Sequence, residues 1–275
     1  MKPIVFRGGG DIATGSIYRL VKAGYPVIVL EIAKPSAIRR EVAFCQAVYD
    51  GKTTVEDMDC TLVSTPEEAL LSASSGAPVL LVDPECDILK LYHPWLLVDG
   101  ILAKRNLGTT RDMADVVVGL GPGFTAGVDV DYVIETMRGH NLSRIITEGG
   151  ALPDTGTPGI IAGYGKERVI HAPAAGRVHC IHHIGDSVEE GEPIAMITGE
   201  DGKETPVPAS LTGILRGIIN EGYIVPYGLK MADIDPRYSE QKNCFTISDK
   251  ARAIGGSVLE LAVAAEHGIL PVKKK

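Results

Sequence analysis

The chain has 275 residues, of which 45% are hydrophobic and 23% are charged, and its formal net charge is −8. This length fits one large domain or two modest ones, and the composition excludes a disordered acidic chain and a membrane protein. The negative charge argues against a nucleic-acid-binding protein, because such proteins need a basic surface to displace counterions. Glycine is frequent, with 32 residues, and aromatic residues make up only 5%, which favours an α/β chain with many tight loops.

The cysteines and the first residues bear on the cellular compartment. Five cysteines are spread along the chain without a C-x-x-C pair, which predicts reduced, mostly buried thiols rather than a zinc site or a disulfide framework. The opening MKPIVFRGGG is typical of a strand and not of a signal peptide. No apolar run approaches the ~18 residues of a membrane span. These features predict a cytoplasmic protein that makes no contact with a membrane.

Residues 1–148 alternate between strand and helix patterns. The apolar run 3–6 predicts a strand, a helical pattern covers 11–23, and the β-branched run 27–30 is typical of a strand buried on both faces. Further elements are predicted in chain order, as strands at 60–63, 78–82, 96–98, 114–118 and 145–146 and as helices at 66–74 and 130–137. Such alternation predicts a parallel sheet with helices on both faces.

The composition then changes. Residues 149–168 are rich in glycine and proline, which predicts a linker or an ordered irregular segment. Residues 169–238 predict a small β-rich domain and contain an internal repeat: after a shift of 37 residues, Gly176 falls on Gly213 and other turn glycines and apolar positions also coincide. A repeat of two units suggests two interlocked halves with pseudo-two-fold symmetry.

The last segment, residues 239–275, returns to a helical pattern. An apolar stripe predicts a helix over 247–268 with Ser248 as its N-cap, followed by a solvated tail. This stripe must pack on one of the two preceding domains.

The strongest local motif is Gly8-x-Gly10-x-x-Ala13, which lies between a predicted strand and a predicted helix. Glycines let the backbone approach a diphosphate, and the N-terminus of the helix offers N–H groups and the positive end of its dipole. Glu31 follows 21 residues after Gly10, where an acid can accept hydrogen bonds from ribose hydroxyls. The alternative is a tight turn that binds nothing. The motif predicts a Rossmann-like domain that binds a nucleotide or a similar phosphate through Gly8, Gly9, Gly10, Asp11, Ala13 and Glu31.

Other polar residues follow neighbouring strands of the predicted sheet. Ligands of open parallel sheets bind at the carboxyl ends of the strands, so Asp83 and Asp99 are expected at the same edge as the first glycines. Lys104, Arg105 and Asn106 follow the strand that ends at Asp99, and they would bring two cations and an amide to a phosphate. The alternative for this segment is a solvated basic turn.

A second glycine loop, GLGPG at residues 119–123, follows another buried strand. The N–H groups of such a loop can form a nest for an anion, and in some methyltransferases a loop of this kind faces S-adenosylmethionine. Gly119, Gly121 and Gly123 are therefore candidate ligand contacts, with a purely structural turn as the alternative.

No residue set identifies a reaction. His179, Cys180, His182 and His183 have the composition of a metal site, but strand alternation lets at most two of them converge, whereas zinc needs three or four ligands. The sequence also contains no P-loop, no H-E-x-x-H motif and no G-x-S-x-G elbow. It therefore predicts a binding site without a metal and without an assigned catalytic residue.

Several segments carry a resemblance to a known family. MKPIVFRGGGDIATGSIYRLVKAGYPVIVLE, LAKRNLGT, VVVGLGPGFTAGVDVDYVIETMRGHNL and GLKMADIDPR together resemble the YqeB family, whose members are described as accessory factors of selenium-dependent molybdenum hydroxylases. The N-terminal half is also similar to the Rossmann-like domain of the xanthine dehydrogenase accessory factor, which handles molybdenum cofactor.

The repeat at 169–238 resembles a biotinyl/lipoyl-like barrel-sandwich fold. In that fold a hairpin carries a lysine flanked by methionines, whereas Lys203 of this chain lies between Gly202 and Glu204. The departure argues against lipoylation or biotinylation and favours a structural or docking module.

The resemblance implies an accessory or maturation protein for a selenium-dependent molybdenum hydroxylase. Its two glycine loops would hold molybdenum cofactor or an NAD-like nucleotide, and its β-rich half would dock the hydroxylase or one of its accessory proteins. Two enzymes remain as alternatives: an NAD-dependent oxidoreductase, in which Glu31 selects NAD over NADP, and an enzyme that uses S-adenosylmethionine at 119–123. The sequence leaves open whether the chain forms a homo-oligomer.

Overall fold

The computed structural model describes residues 1–156 and 159–270. The chain divides into two compact units: the first contains Met1–Pro35, Ala43–Thr155 and the segment from Ile247 onward, and the second contains Ser36–Val42 and Gly156–Thr246. Parts of the predicted linker (157–158) and of the predicted tail (271–275) lie outside the described residues.

The first unit is a mixed α/β unit built on a nine-stranded sheet. Its strands are β1 (Ile4–Arg7), β2 (Val27–Glu31), β3 (Lys52–Val55), β4 (Met58–Val63), β5 (Val79–Val82), β6 (Leu96–Asp99), β7 (Val116–Leu120), β8 (Tyr132–Ile134) and β9 (Ile145–Ile146). Its helices are α1 (Asp11–Lys22), α2 (Ala47–Asp50), α3 (Pro66–Ser72) and α4 (Asp249–Glu266), with 3₁₀ turns at Phe44–Gln46, Ala73–Ser75 and Asp87–Lys90.

The strand order is β3-β4-β5-β2-β1-β6-β7-β8-β9. All neighbours are parallel except β3 with β4 and β8 with β9. The connection from β1 to β2 runs toward the β3 edge, whereas the connections from β4 onward run toward β9. Right-handed crossovers in opposite directions place α1 and α3 on opposite faces of the sheet. The direction of winding therefore reverses beside β1, between β1 and β6.

Strand β1 shows why both faces are covered. Val5 packs in one core cluster with Ala69 of α3 and Ala73 of the 3₁₀ turn after it, while Ile4 and Phe6 point to the other face and are also fully buried. The continuous apolar runs of the parallel strands thus meet helices or loops on both sides.

Helix α4 packs closely on α1 through small residues. A Cβ atom at Gly15 of α1 would lie 2.5 Å from the carbonyl oxygen of Ala251, and a Cβ atom at Gly255 would lie 2.5 Å from the carbonyl oxygen of Gly15. The Ser248 hydroxyl caps α4 by accepting a hydrogen bond from the N–H of Ala251 at 3.2 Å. The predicted helix and its N-cap are present, and α4 belongs to the first unit although the second unit separates it in sequence.

One local prediction for the first unit is wrong, and one strand is missing from the prediction. The segment 130–137, predicted as a helix, contains strand β8, and its residues Tyr132, Val133 and Ile134 are all buried. Their spacing fits a helical face, but a short β-branched run buried on both sides is stable as a strand. The hairpin partner β3 is missing from the prediction because its sequence, KTTV, is mostly polar and exposed.

The second unit consists of two four-stranded antiparallel sheets. Their orders are β10-β17-β15-β12 and β14-β13-β11-β16, with strands β10 (Val169–His171), β11 (Gly176–Cys180), β12 (Ser187–Val188), β13 (Pro193–Thr198), β14 (Glu204–Pro208), β15 (Gly213–Ile218), β16 (Ile224–Val225) and β17 (Lys230–Asp235). Short 3₁₀ turns lie at Arg40–Val42, Lys166–Arg168 and Tyr238–Phe245.

The strands of this unit follow the repeat of the sequence. β11 and β15 begin 37 residues apart, as do β12 and β16, and β13 and β17. The repeat maps each sheet onto the other, so that each sheet combines strands from both copies. One apolar core joins them, with Val178, Ile197, Leu215 and Met231 fully buried.

The segment 36–42 adds to the second unit. The Ile218 N–H donates to the carbonyl oxygen of Ile38 at 2.9 Å, and the Arg40 Nε donates to the carbonyl oxygen of Ile218 at 3.1 Å. The domain boundaries predicted from the sequence do not include this excursion, because nothing in its composition marks it. Across residues 1–156 and 159–270, no helix combines the length and the apolar character that a bilayer crossing requires.

Candidate functional site

The candidate site lies in the first unit, at the carboxyl ends of β1, β2, β6 and β7. In open parallel sheets, ligands bind in the crevice where the winding direction reverses, which here is beside β1 and β6. The topology brings the first glycine loop, Glu31, Asp99 and the second glycine loop to this edge.

The three glycines of the first loop have different environments. Gly8 has a φ of +88° and its N–H donates to the Leu30 carbonyl at 2.8 Å, and a Cβ atom there would lie 3.0 Å from the backbone of Ile101. Gly9 accepts a hydrogen bond from the Cys45 N–H at 2.9 Å and lies against that segment. A Cβ atom at Gly10 would meet nothing within 4 Å. Gly8 and Gly9 are thus required by packing, whereas Gly10 faces open space.

Gly10 is also the N-cap of α1, and no side chain caps this end of the helix. The first N–H groups of a helix have no partner within it, so the start of α1 presents donors and the positive end of the dipole at this edge. Asp11 is the first residue of α1. Ala13 is fully buried, and a Cβ atom at Gly100 would lie 2.8 Å from the Ala13 methyl group, so the small residues bring α1 close to the end of β6.

Glu31 holds the first loop in place. Its Oε1 accepts the Gly9 N–H and its Oε2 accepts the Ile32 N–H, both at 2.8 Å. Burial raises the pKa of Glu31, and the two backbone hydrogen bonds oppose that rise. The sequence predicts a ribose contact for this carboxylate. The structure gives it two backbone partners instead, and its remaining lone pairs are the part that could accept a ligand hydroxyl.

A buried polar network connects β1 with the chain that follows β6. The Arg7 guanidinium lies 3.4 Å from the Asp99 carboxylate and also donates to the Thr109 hydroxyl and to the Leu107 carbonyl. The Thr109 hydroxyl donates to Asp99 at 2.5 Å. Burial raises the pKa of Asp99, while Thr109, the Ile101 N–H and Arg7 counteract the rise. This network fixes the segment after β6, and it uses Asp99 as a structural acceptor.

Hydrogen bonds within the predicted basic segment, which begins at Lys104, fix the conformation of its backbone. The Asn106 side chain accepts the N–H groups of Gly108 at 2.9 Å and Thr109 at 2.7 Å, and donates to the Thr109 carbonyl. Lys104 has a φ of +63° and forms an ion pair with Asp154 at 2.5 Å. Asn106 therefore shapes the turn, and Lys104 is already neutralised.

The second glycine loop is packed tightly. A Cβ atom would lie 2.5 Å from the Phe124 ring at Gly119, 2.7 Å from the Thr136 hydroxyl at Gly121 and 2.6 Å from the Arg105 backbone at Gly123. Packing thus accounts for all three glycines, which corresponds to the structural alternative of the sequence analysis.

Asp83 follows β5 and caps the 3₁₀ turn that comes after this strand. Its two carboxylate oxygens accept the N–H groups of Asp87 at 2.8 Å and Ile88 at 2.9 Å. These bonds start the 3₁₀ turn 87–90, so Asp83 has a capping role at the same edge of the sheet.

The sequence analysis did not identify Lys250, which lies in the first turn of α4. Burial and the nearby Arg138 lower the pKa of Lys250, and the carboxylates of Asp11, Glu135 and Asp154 counteract this. A signal was present in the sequence, because a cation in the first turn of a helix faces the positive end of the dipole and is unfavourable there.

Two histidines of the second unit, His179 and His182, lie beside carboxylates. His179 Nδ1 lies 3.1 Å from Glu221, and His182 Nε2 lies 3.0 Å from Glu192. No group of three or more His, Cys, Asp or Glu side chains with the geometry of a metal site occurs in the described part of the chain.

No family model matches the chain. Among solved structures it is similar to product-bound EutE (DoeB) from Ruegeria pomeroyi, with 11% identity, a TM-score of 0.29 and coverage of 85% of this chain and 84% of that one. An aspartoacylase family protein from Mesorhizobium loti has 9% identity, a TM-score of 0.27 and coverage of 85% and 84%. TM-scores this low support no argument about fold or function.

The sequence comparison is stronger. The chain is 48% identical over 264 residues to the uncharacterized protein YqeB of Escherichia coli (strain K12). The aligned region covers 96% of this chain but only 48% of that protein, so the chain spans about half the length of its relative. The chain is thus similar to about half of that protein.

Proposed function

We propose that the first unit binds a phosphate-bearing cofactor, a nucleotide or the pterin of molybdenum cofactor, at the carboxyl edge between β1 and β6. The observation that carries this proposal is Gly10, which caps α1 with no side chain over it and faces open space at the point where the sheet reverses its winding. A phosphate placed there meets the N–H groups and the dipole of α1.

The rim of this edge suits a ligand with a flat ring beside its phosphate. Ile32, Ile101, Leu107 and Leu152 are apolar residues that follow the strands or flank their ends, and each is 38–51% exposed. Nucleotides and pterins combine a ring that packs on apolar side chains with an anionic group that needs donors. Arg105, which is exposed, is available to that anionic group.

We further propose that the protein acts as an accessory factor of a selenium-dependent molybdenum hydroxylase. The support is the identity to YqeB and the resemblance of the glycine-loop and LAKRNLGT segments to that family. In this proposal the second unit is a barrel-sandwich-like docking module, for which the two interlocked sheets and the repeat of 37 residues are the support.

The test is anaerobic calorimetry of the chain with molybdenum cofactor, NAD and S-adenosylmethionine. The wild type is expected to bind molybdenum cofactor, and Gly10→Val is expected to weaken binding by at least about tenfold, because its side chain occupies the space of the phosphate. Gly256→Val is the matched control, since a Cβ atom there also meets nothing within 4 Å and Gly256 lies on α4 outside the crevice.

The outcomes separate the candidate functions. Binding of NAD alone would replace the proposal with an oxidoreductase, and binding of S-adenosylmethionine alone with an enzyme that uses that cofactor. Binding of none of the three, or equal binding by wild type and Gly10→Val, would contradict the proposed site.

A further inference from the structure

We propose that Lys250 is a further ligand-binding residue of this site, delivered by α4, whose ammonium group contacts the anionic group of a ligand held at the start of α1. This inference rests on the proposed function and names the cation that completes it. The juxtaposition of the first turns of α1 and α4 at one edge of the sheet is the observation behind it.

The position of Lys250 is fixed by its neighbours. Ala251, the next residue, lies against Gly15 of α1, and Asp249, the preceding one, pairs with Arg138 through two hydrogen bonds of 2.8 and 2.9 Å. Arg138 follows β8, and Asp11 begins α1. Lys250 is therefore held between the first turn of α1 and the chain that follows β8.

Three other basic groups around this edge, those of Lys104, Arg138 and Arg7, are already paired. Lys104 pairs with Asp154 at 2.5 Å, Arg138 with Asp249 at 2.8 Å and Arg7 with Asp99 at 3.4 Å. No carboxylate of a described residue lies within ion-pair distance of the Lys250 ammonium group, although Lys250 is partly buried. An incoming anion can therefore neutralise the charge of Lys250, like that of the exposed Arg105, without breaking an existing ion pair.

The carboxylates near Lys250 have partners of their own. The two oxygens of Glu135 accept the N–H groups of Met137 at 2.7 Å and Leu152 at 2.8 Å, Asp154 holds Lys104, and Asp11 is also engaged. These acids moderate the charge of the region but do not close an ion pair on Lys250.

Retaining this lysine costs stability. Burial, Arg138 and the positive end of the α4 dipole all disfavour its charged form, and the pKa of Lys250 is lowered accordingly. A residue that is unfavourable for folding and lies at a crevice is typical of a functional position. Folding without a ligand is therefore expected to improve when the lysine is replaced.

The experiment uses inorganic pyrophosphate as the probe and the full chain as the protein. Lys250→Met is expected to weaken pyrophosphate binding by about ten- to a hundredfold, the usual loss of a charge-assisted hydrogen bond. Lys250→Arg is expected to retain part of the affinity. The control is Lys242→Met, the same change at an exposed lysine of the second unit.

Two further readouts exclude a structural role. The thermal midpoint of Lys250→Met without ligand is expected to equal or exceed that of the wild type, since an unpaired, partly buried charge is removed. The wild type is expected to lose affinity as the pH rises into the range where its lysine deprotonates, whereas Lys250→Arg, whose guanidinium stays charged, shows only the titration of pyrophosphate itself.

The results distinguish this inference from the proposed function. If Gly10→Val abolishes pyrophosphate binding while Lys250→Met binds like the wild type, the inference is wrong and the site stands. If the wild type does not bind pyrophosphate, the site and the inference both fail. A lowered midpoint of Lys250→Met, with the same pH profile for wild type and Lys250→Arg, would also overturn the inference.

Discussion

The two glycine loops of the first unit look alike in sequence and differ in structure. Both follow a buried strand and both reach the same edge of the sheet. In the second loop, Gly119, Gly121 and Gly123 are all demanded by neighbours 2.5–2.7 Å from a Cβ atom. In the first, Gly10 has no such neighbour within 4 Å. A glycine that packing does not explain is the better indicator of a ligand.

The two glycine loops therefore have different roles in the first unit. The second loop allows close packing between the end of β7 and the segment that contains Arg105, and the first opens toward the solvent at the start of α1. Variants of the two loops should therefore separate stability from binding.

The largest effect is expected from the network that lies between the loops. Asp99→Ala leaves the Arg7 guanidinium buried without its carboxylate and the Thr109 hydroxyl without its acceptor. Loss of one partner of a buried ion pair costs about 3–5 kcal/mol, so the free energy of unfolding should fall by that amount. Denaturant titration measures it. Asp57→Ala is the control, because Asp57 forms a solvent-exposed pair with Lys22, and such pairs contribute little to the free energy of unfolding.

A smaller effect is expected from the second loop. Gly123→Ala places a methyl group 2.6 Å from the Arg105 backbone at a φ of +109°, where L residues are strained. The free energy of unfolding should fall by about 1–3 kcal/mol. The same measurement on Gly10→Ala should give a change below about 1 kcal/mol. Equal losses in the two variants would contradict the distinction between the loops.

The smallest effect concerns the pH dependence of the first loop. Because burial raises the pKa of Glu31, this group favours folding at low pH, and its contribution is lost as the pH rises through the pKa of the folded state. Glu31→Gln removes that loss, so the free energy of unfolding should depend less steeply on pH in the acidic range. Glu67→Gln, at an exposed position of α3, should leave the slope unchanged.

The sequence predicts the parts of the fold that rest on local patterns. The strand before Gly8, the helix from Asp11 and the strand that ends at Glu31 are present, as is the α4 helix with its Ser248 cap. The helix predicted at 130–137 is a strand because burial on both faces overrides its helical spacing.

The site itself depends on long-range contacts that local patterns do not contain. Gly9, which donates to Glu31, and Asp154, which pairs with Lys104, are brought to these residues by the fold and lie far from them in sequence. The joining of α4 to the first unit, and with it the location of Lys250, follows from the fit of Gly15 to Ala251 and Gly255. The signal that the sequence contained is a lysine in the first turn of a predicted helix.

The pairing of α1 with α4 also sets the order in which the first unit can be completed during synthesis. Ribosomes deliver the chain from its N-terminus at about 5–20 residues per second, so α1 emerges long before the helix that covers Gly15. The whole second unit is made in between. The small-residue face of α1 therefore stays exposed until α4 has been synthesised. A nascent chain that stops before Ile247 lacks the helix that covers this face. Completion of the first unit therefore requires that the ribosome has already translated the whole second unit.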